Sequence, residues 1–105
     1  APRDFALIGE LDGLRQAYGK ALPGRLDALR AALCAGRLDD AAGQVHMLKG
    51  SAGSFGLAEV STLAVLVEAA TLRGAVAEAL EQLDRIDHLE AVRALRATGE
   101  TYDTP

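Results

Sequence analysis

The chain of 105 residues contains no tryptophan, two tyrosines, two phenylalanines, three prolines and one cysteine. The lone Cys34 cannot close an internal disulfide, so the fold does not depend on an oxidising compartment. It reads as a small core hydrophobe on the first helix. Lysine is scarce as well: only Lys20 and Lys49 stand beside nine scattered arginines. With a formal charge of −4, nothing resembles the basic stripe that a phosphate backbone requires, which argues against nucleic acid as a partner. No apolar run approaches the roughly 18 residues needed to span a bilayer, so this domain is not expected to insert in a membrane. No i,i+4 histidine pair or Cys/His cluster points to a metal site. The start, Ala1-Pro2-Arg3, has no initiator methionine and is not a signal peptide. It reads as a processed or excised segment, one module of a longer protein.

What is present points one way. Half of the residues are hydrophobic and a quarter charged, which excludes global disorder. Alanine and leucine supply 38 residues, valine and isoleucine only 8. Strong helix formers in that excess predict an all-α domain. The length predicts one domain, 1–105, with a core over about 5–97 and a polar, frayed tail over 98–105.

Gly36, the Phe55-Gly56 corner and Gly74 divide the chain into four periodic blocks. In the first, Phe5, Ile8, Leu11, Leu14, Tyr18, Leu22, Leu26, Leu29 and Leu33 fall on one helix face. Pro23 interrupts the block, and the residue four positions back is the pliable Gly19. The block is therefore one helix over 4–35 kinked near 19–23, or two shorter helices. The second block opens at Leu38, where Asp39 or Asp40 can cap a helix. Its inward stripe is Leu38, Ala41, Val45, Leu48, Ala52 and Phe55. Leu57 to Arg73 forms the third block, with Val60, Leu63, Ala64, Val67 and Ala70 inward. The fourth, from Ala75 to about Ala97, carries Val76, Leu80, Leu83, Ile86, Leu89, Val92 and Leu95. Its later steps are all three, so either the helix is distorted there or its buried face rotates between partners. Short loops between such helices imply antiparallel neighbours in a bundle.

The second block holds an anomaly. Gly43, Gly50 and Gly53 lie inside the helical pattern, each costing about 0.8–1 kcal/mol relative to alanine. They sit at i−3, i+4 and i+7 from His46, along one helix stripe. His46 lies off the core stripe, so its imidazole stands on the open side above a surface stripped of side chains, with Lys49 at i+3 on the same side. These parts suit phosphoryl transfer. A neutral imidazole, with an unperturbed pKa of about 6.5, is nucleophilic without a separate activating base. An adjacent ammonium can balance the charge on the equatorial phosphoryl oxygens. Bare backbone lets donor and acceptor approach in line.

The run His46-x-x-Lys49-Gly50-Ser51-x-x-x-x-Gly56 resembles the signature of histidine-containing phosphotransfer (HPt) domains of bacterial phosphorelays, and of the related phosphorylated domain of chemotaxis kinases. Leu22-Pro23-x-Arg25-Leu26-x-x-Leu29-Arg30-x-x-Leu33 before Gly36 resembles the helix preceding the family's active helix. Leu63-x-x-Leu66-Val67-Glu68 resembles the one after it. The short first segment departs from members that carry an additional small helix there. The resemblance implies a four-helix bundle with the histidine exposed midway along one helix, the second long one here. It implies that His46 accepts a phosphoryl group from a receiver-domain aspartyl phosphate and passes it to another receiver, with Lys49 supporting the phosphoryl oxygens and Gly50 clearing access. The protein would be a carrier without its own ATP site, metal or cofactor, Mg2+ belonging to the partner receiver. Its partners would be response-regulator receiver domains and, in some settings, a sensor histidine kinase. Its place would be the cytoplasm, free or as a domain of a membrane-anchored sensor kinase. The alternatives are a chemotaxis-type kinase module phosphorylated at His46 and a non-catalytic helical adaptor.

Around the motif, Ala42, Met47 and Leu57 are candidates for an apolar docking patch. Gly56 is expected at positive φ, ending a helix. Ser51 and Ser54 either bind the phosphoryl group or cap the corner. Gly43 and Gly53 have close helix packing as an alternative role. His88 and the Arg and Asp pairs on the fourth helix read as a solvated face.

Overall fold

The computed structural model describes the backbone from Pro2 to Asp103 and the side chains of residues 9–98. The described chain is helical with no strand: α1 (Pro2–Cys34), α2 (Leu38–Ser54), α3 (Ala58–Leu72), α4 (Val76–Asp87) and α5 (Glu90–Asp103). The three glycine breaks share one design. Gly36, Gly56 and Gly74 take φ of 75°, 81° and 73°. The N–H two residues beyond the last fully helical turn reaches back each time: Arg37 to the Ala32 carbonyl (2.9 Å), Leu57 to Ala52 (2.8 Å) and Ala75 to Ala70 (2.9 Å). Together with the bond from each glycine's own N–H to the carbonyl three residues back, this is a Schellman closure, which needs a left-handed residue that glycine adopts without a Cβ clash.

The same turns start the following helices. Arg37 is the N-cap of α2 and makes no side-chain cap bond, while its carbonyl accepts the Ala41 N–H at 2.9 Å. Asp39 and Asp40 are therefore not caps. They lie in the first turn, where their charge complements the helix dipole.

α1 packs against α2 and α4, and α3 against α2 and α4, so α1 to α4 close a ring; α5 lies against α1 and α4. The core is drawn from every expected stripe: Leu22, Leu26, Leu29 and Leu33 meet Val45, Leu48, Val60, Val67, Leu83, Ile86 and Val92. α1 runs unbroken through Pro23, which settles the one-helix alternative. Gly19 is buried, and a Cβ there would come within 3.1 Å of Leu95 Cδ2. Close approach of α5 is thus a second reason for glycine at that position.

Three expectations need correction. The stripe of α1 is not core over its whole length: Leu11 and Leu14 are exposed. At 33 residues α1 is about 50 Å long, and it overshoots partners of 12–17 residues. Phe5 and Ile8 lie outside the described side chains. Cys34, at the last turn of α1, is exposed rather than core. The fourth block is two helices, so the described residues form five, and α5 continues to Asp103 through most of the segment read as a tail. Residues 104 and 105 lie outside the described residues.

The drifting stripe of that block is explained by the break at His88-Leu89. A step of three residues turns the face by about 60° relative to a full revolution, and a short interruption restores it toward α1. Charged residues read as solvated pin the break. Arg30 on α1 bonds Asp84 (2.6 Å) and Asp87 (2.8 Å), and Arg96 on α5 bonds Asp87 (2.9 Å) and Asp27 (2.8 Å). Asp87 joins both arginines and hence three helices. His88 is exposed as expected, its Nδ1 2.7 Å from the Asp84 carbonyl.

Candidate functional site

α2 buries Ala41, Val45, Leu48 and Ala52, and that stripe rotates His46 outward. The imidazole side chain is 71% exposed. Lys49, one turn on, is 32% exposed. What joins them is a residue to which the sequence reading assigned no role. Glu68 on α3 accepts from Lys49 Nζ at 2.7 Å through Oε1 and lies 3.0 Å from His46 Nδ1 through Oε2. The Lys49 hydrogen bond, followed by that of His46, holds the Glu68 carboxyl below the usual carboxylate range against the opposing effect of burial.

That contact fixes the chemistry of the ring. An ionised carboxylate only accepts, so the proton between the two groups belongs to Nδ1. Nε2 is then the nitrogen with a free lone pair whenever the imidazole is neutral, and it is the atom able to attack an electrophile. A positive charge developing on the ring would meet the Glu68 carboxylate already in place.

The surroundings of His46 are open. A Cβ on Gly43 or Gly50 would meet nothing within 4 Å, whereas one on Gly53 would lie 3.4 Å from Ser61 Oγ. The Gly53 distance is that of an ordinary contact, so packing requires glycine at none of the three positions. Ser61 also donates to the Lys49 carbonyl at 2.7 Å, tying α3 to the helix that carries the motif. Neither serine of the motif caps the corner. Ser51 turns to α1, where its hydroxyl is 2.8 Å from the Tyr18 hydroxyl, and Ser54 donates to the Gly50 carbonyl at 3.2 Å. The corner is closed by main chain, with Gly56 at positive φ as expected.

Of the three docking candidates, Met47 is exposed, while Ala42 and Leu57 are half-buried. The sequence reading missed Val65, Leu66 and Leu72, all exposed on α3. Val65 and Leu72 stand at i−3 and i+4 from Glu68 and so share its flank of the helix. Among the described residues, no group of three or more His, Cys, Asp or Glu side chains is placed to hold a metal ion, and no helix is long and apolar enough to cross a membrane.

The depressed Glu68 carboxyl has a measurable consequence. Its folded pKa lies below its unfolded value of about 4.3. The stability it contributes is present above that pH and is lost as pH falls through the folded value. Glu68→Gln should therefore reduce the fall in Tm between pH 7 and pH 3, read by circular dichroism. An acid limb identical to that of the wild type would refute the linkage.

On this bundle helix an exposed imidazole thus stands beside a carboxylate and a lysine, a nucleophile with a counter-charge and a cation within one turn. Among known families, the Hpt domain family matches residues 13–97. The chain belongs to the HPt family, and its role is histidine phosphotransfer in two-component signalling. No curated protein and no solved structure matches the chain.

Proposed function

We propose that His46 is the phosphoryl acceptor and donor of a relay between receiver domains. The observation that carries this reading is the 71% exposed imidazole whose Nδ1 faces Glu68. In the forward step Nε2 attacks the phosphorus of an aspartyl phosphate on the partner. The Nε2–P bond forms as the bond from phosphorus to the aspartyl oxygen breaks, and the aspartate leaves as a carboxylate. Nδ1 keeps its proton, and Glu68 balances the resulting imidazolium. The onward step is the reverse reaction on a second receiver. Lys49 supplies positive charge to the phosphoryl oxygens, and Gly50 leaves the line of approach clear. In this reading the chain is a stoichiometric carrier with no ATP site or metal of its own, and Mg2+ resides on the partner receiver.

The test is radiolabel transfer. Receiver domains are phosphorylated with a small-molecule donor, mixed with this protein, and the product is assayed for acid lability and alkali stability. Acid-labile, alkali-stable label on this chain is expected. Label acquired only from a kinase core would replace the relay by a chemotaxis-type kinase module. No label from either source on folded protein would leave an adaptor. Lys49→Ala should slow transfer by about tenfold. A fully buried donor to a transition-state oxyanion is worth more, but a third of this side chain is exposed. An unchanged transfer rate in that variant would remove Lys49 from the reaction.

A further inference from the structure

We propose that Arg25 is a specificity-determining residue that reads a carboxylate on the partner exchanging phosphate with His46. The inference rests on the relay reading and adds to it the chemistry of the docking face.

Between α1 and α2 runs a groove of about 200 Å³ lined by Arg25, Ala28, Leu29, Gln44, Met47 and Leu48. Met47, next to His46 in sequence, is 67% exposed. Met47 is the lip of the groove nearest His46, and a partner footprint of about 800 Å² that covers His46 is wide enough to extend across it. The polar groups of the groove are Arg25 and Gln44, and Gln44 is engaged with Asp40 at 3.0 Å.

Arg25 is held but not neutralised. Its guanidinium carbon lies 5.5 Å from the centroid of the Tyr18 ring. That ring is fixed in turn by stacking on Phe55 at 4.6 Å and by the Ser51 hydroxyl. Arg30, Arg37, Arg73 and Arg96 each pair with a carboxylate; among the described arginines that do not, Arg25 is the one that lines this groove and rests on an aromatic ring. A cation parked over an aromatic face keeps its charge and loses less freedom when it pairs, and its planar fork suits a carboxylate.

The charge distribution selects the same partner. From Tyr18 to Ser54 five basic residues outnumber three acidic ones, a net +2. From Phe55 to Pro105 four basic residues face nine acidic ones, a net −5. Residues 18–54 are thus the cationic part of an acidic protein, and α1 and α2 taken whole, from Pro2 to Ser54, still carry seven basic against six acidic residues. It fits an acidic receiver surface that presents an apolar side chain to the groove and a carboxylate to Arg25. Pairs of this kind act mainly on encounter rate and partner choice.

The experiment compares wild type, Arg25→Glu and Arg25→Gln in two reactions: phosphoryl transfer from phosphorylated receiver domains, and direct labelling of His46 by phosphoramidate, which needs no protein partner. The wild-type transfer rate should fall with added salt. Arg25→Glu should lose about tenfold or more in kcat/KM for receiver transfer with a flattened salt dependence, Arg25→Gln should lose less, and phosphoramidate labelling should be unchanged in both. Wild-type kcat/KM in Arg25→Glu at low salt would overturn the proposal while leaving the relay reading intact. A parallel loss of phosphoramidate labelling would overturn it too, by placing Arg25 in the integrity or chemistry of the His46 site. If no receiver transfers to the wild type although phosphoramidate labels it, the relay reading fails and this inference falls with it.

Discussion

His46→Gln should abolish phosphoryl acceptance from every donor and leave the bundle folded. The side chain is largely exposed, so its replacement opens no cavity. Glutamine is a better helix former than histidine, and its amide can still donate to Glu68. What it lacks is a basic nitrogen lone pair. Far-ultraviolet circular dichroism and Tm should match the wild type within experimental scatter, while incorporated label falls to background. His88→Gln is the internal control, since His88 turns to the Asp84 carbonyl in the last turn of α4. Label retained in His46→Gln but lost in His88→Gln would move the site to the wrong side of the molecule and end the assignment.

Gly50→Gln should raise stability and block transfer together. In a helix interior glycine costs about 0.8–1 kcal/mol relative to alanine, and glutamine lies close to alanine on that scale. A Cβ at position 50 meets nothing within 4 Å, so the gain is not offset by a clash. An increase of a few degrees in Tm is expected for a domain of this size. The new side chain projects one turn from His46 on its own stripe, where the partner must approach in line. Receiver transfer should fall by about a hundredfold, and labelling by phosphoramidate, a far smaller donor, should fall much less. Wild-type transfer in a stabilised variant would show that the bare backbone at Gly50 has no part in access. Gly53 differs from Gly50 in its surroundings: a Cβ there would make ordinary contact with Ser61 Oγ of α3 at 3.4 Å, whereas one at Gly50 faces open space.

The network that unites His46, Lys49 and Glu68 shows where inspection of the chain stops. The outward face of α2 follows from periodicity alone, because Val45, Leu48 and Ala52 must turn inward for the helix to bury anything. Glu68 is one of two carboxylates on α3, with Glu59. Nothing within α3 distinguishes them. Glu68 acquires its place because the Schellman turn at Gly56 and the Ser61 hydrogen bond to the Lys49 carbonyl hold the register of α3 on α2. That register places Glu68 opposite both His46 and Lys49. The signal that would have found it is geometric: an acid on the neighbouring helix about as far beyond the turn as His46 lies before it.

By itself, then, the sequence determined the helical class, the helix ends at Gly36, Gly56 and Gly74, and the outward placement of His46 among open glycines. Each depends on interactions within a few residues: a positive φ that glycine alone tolerates cheaply, or a stripe repeating every three to four positions. The tertiary structure decided the Glu68 bridge, the exposure of Cys34 and Leu14, and the break at His88-Leu89 with Asp87 held between Arg30 and Arg96. These depend on the lengths, rotations and registers of whole helices against one another. Two side chains 22 residues apart meet across α2 and α3, and two 57 apart meet across α1 and α4. Only the packed core fixes such distances, because local propensity carries no information about which face of one helix a distant helix will find.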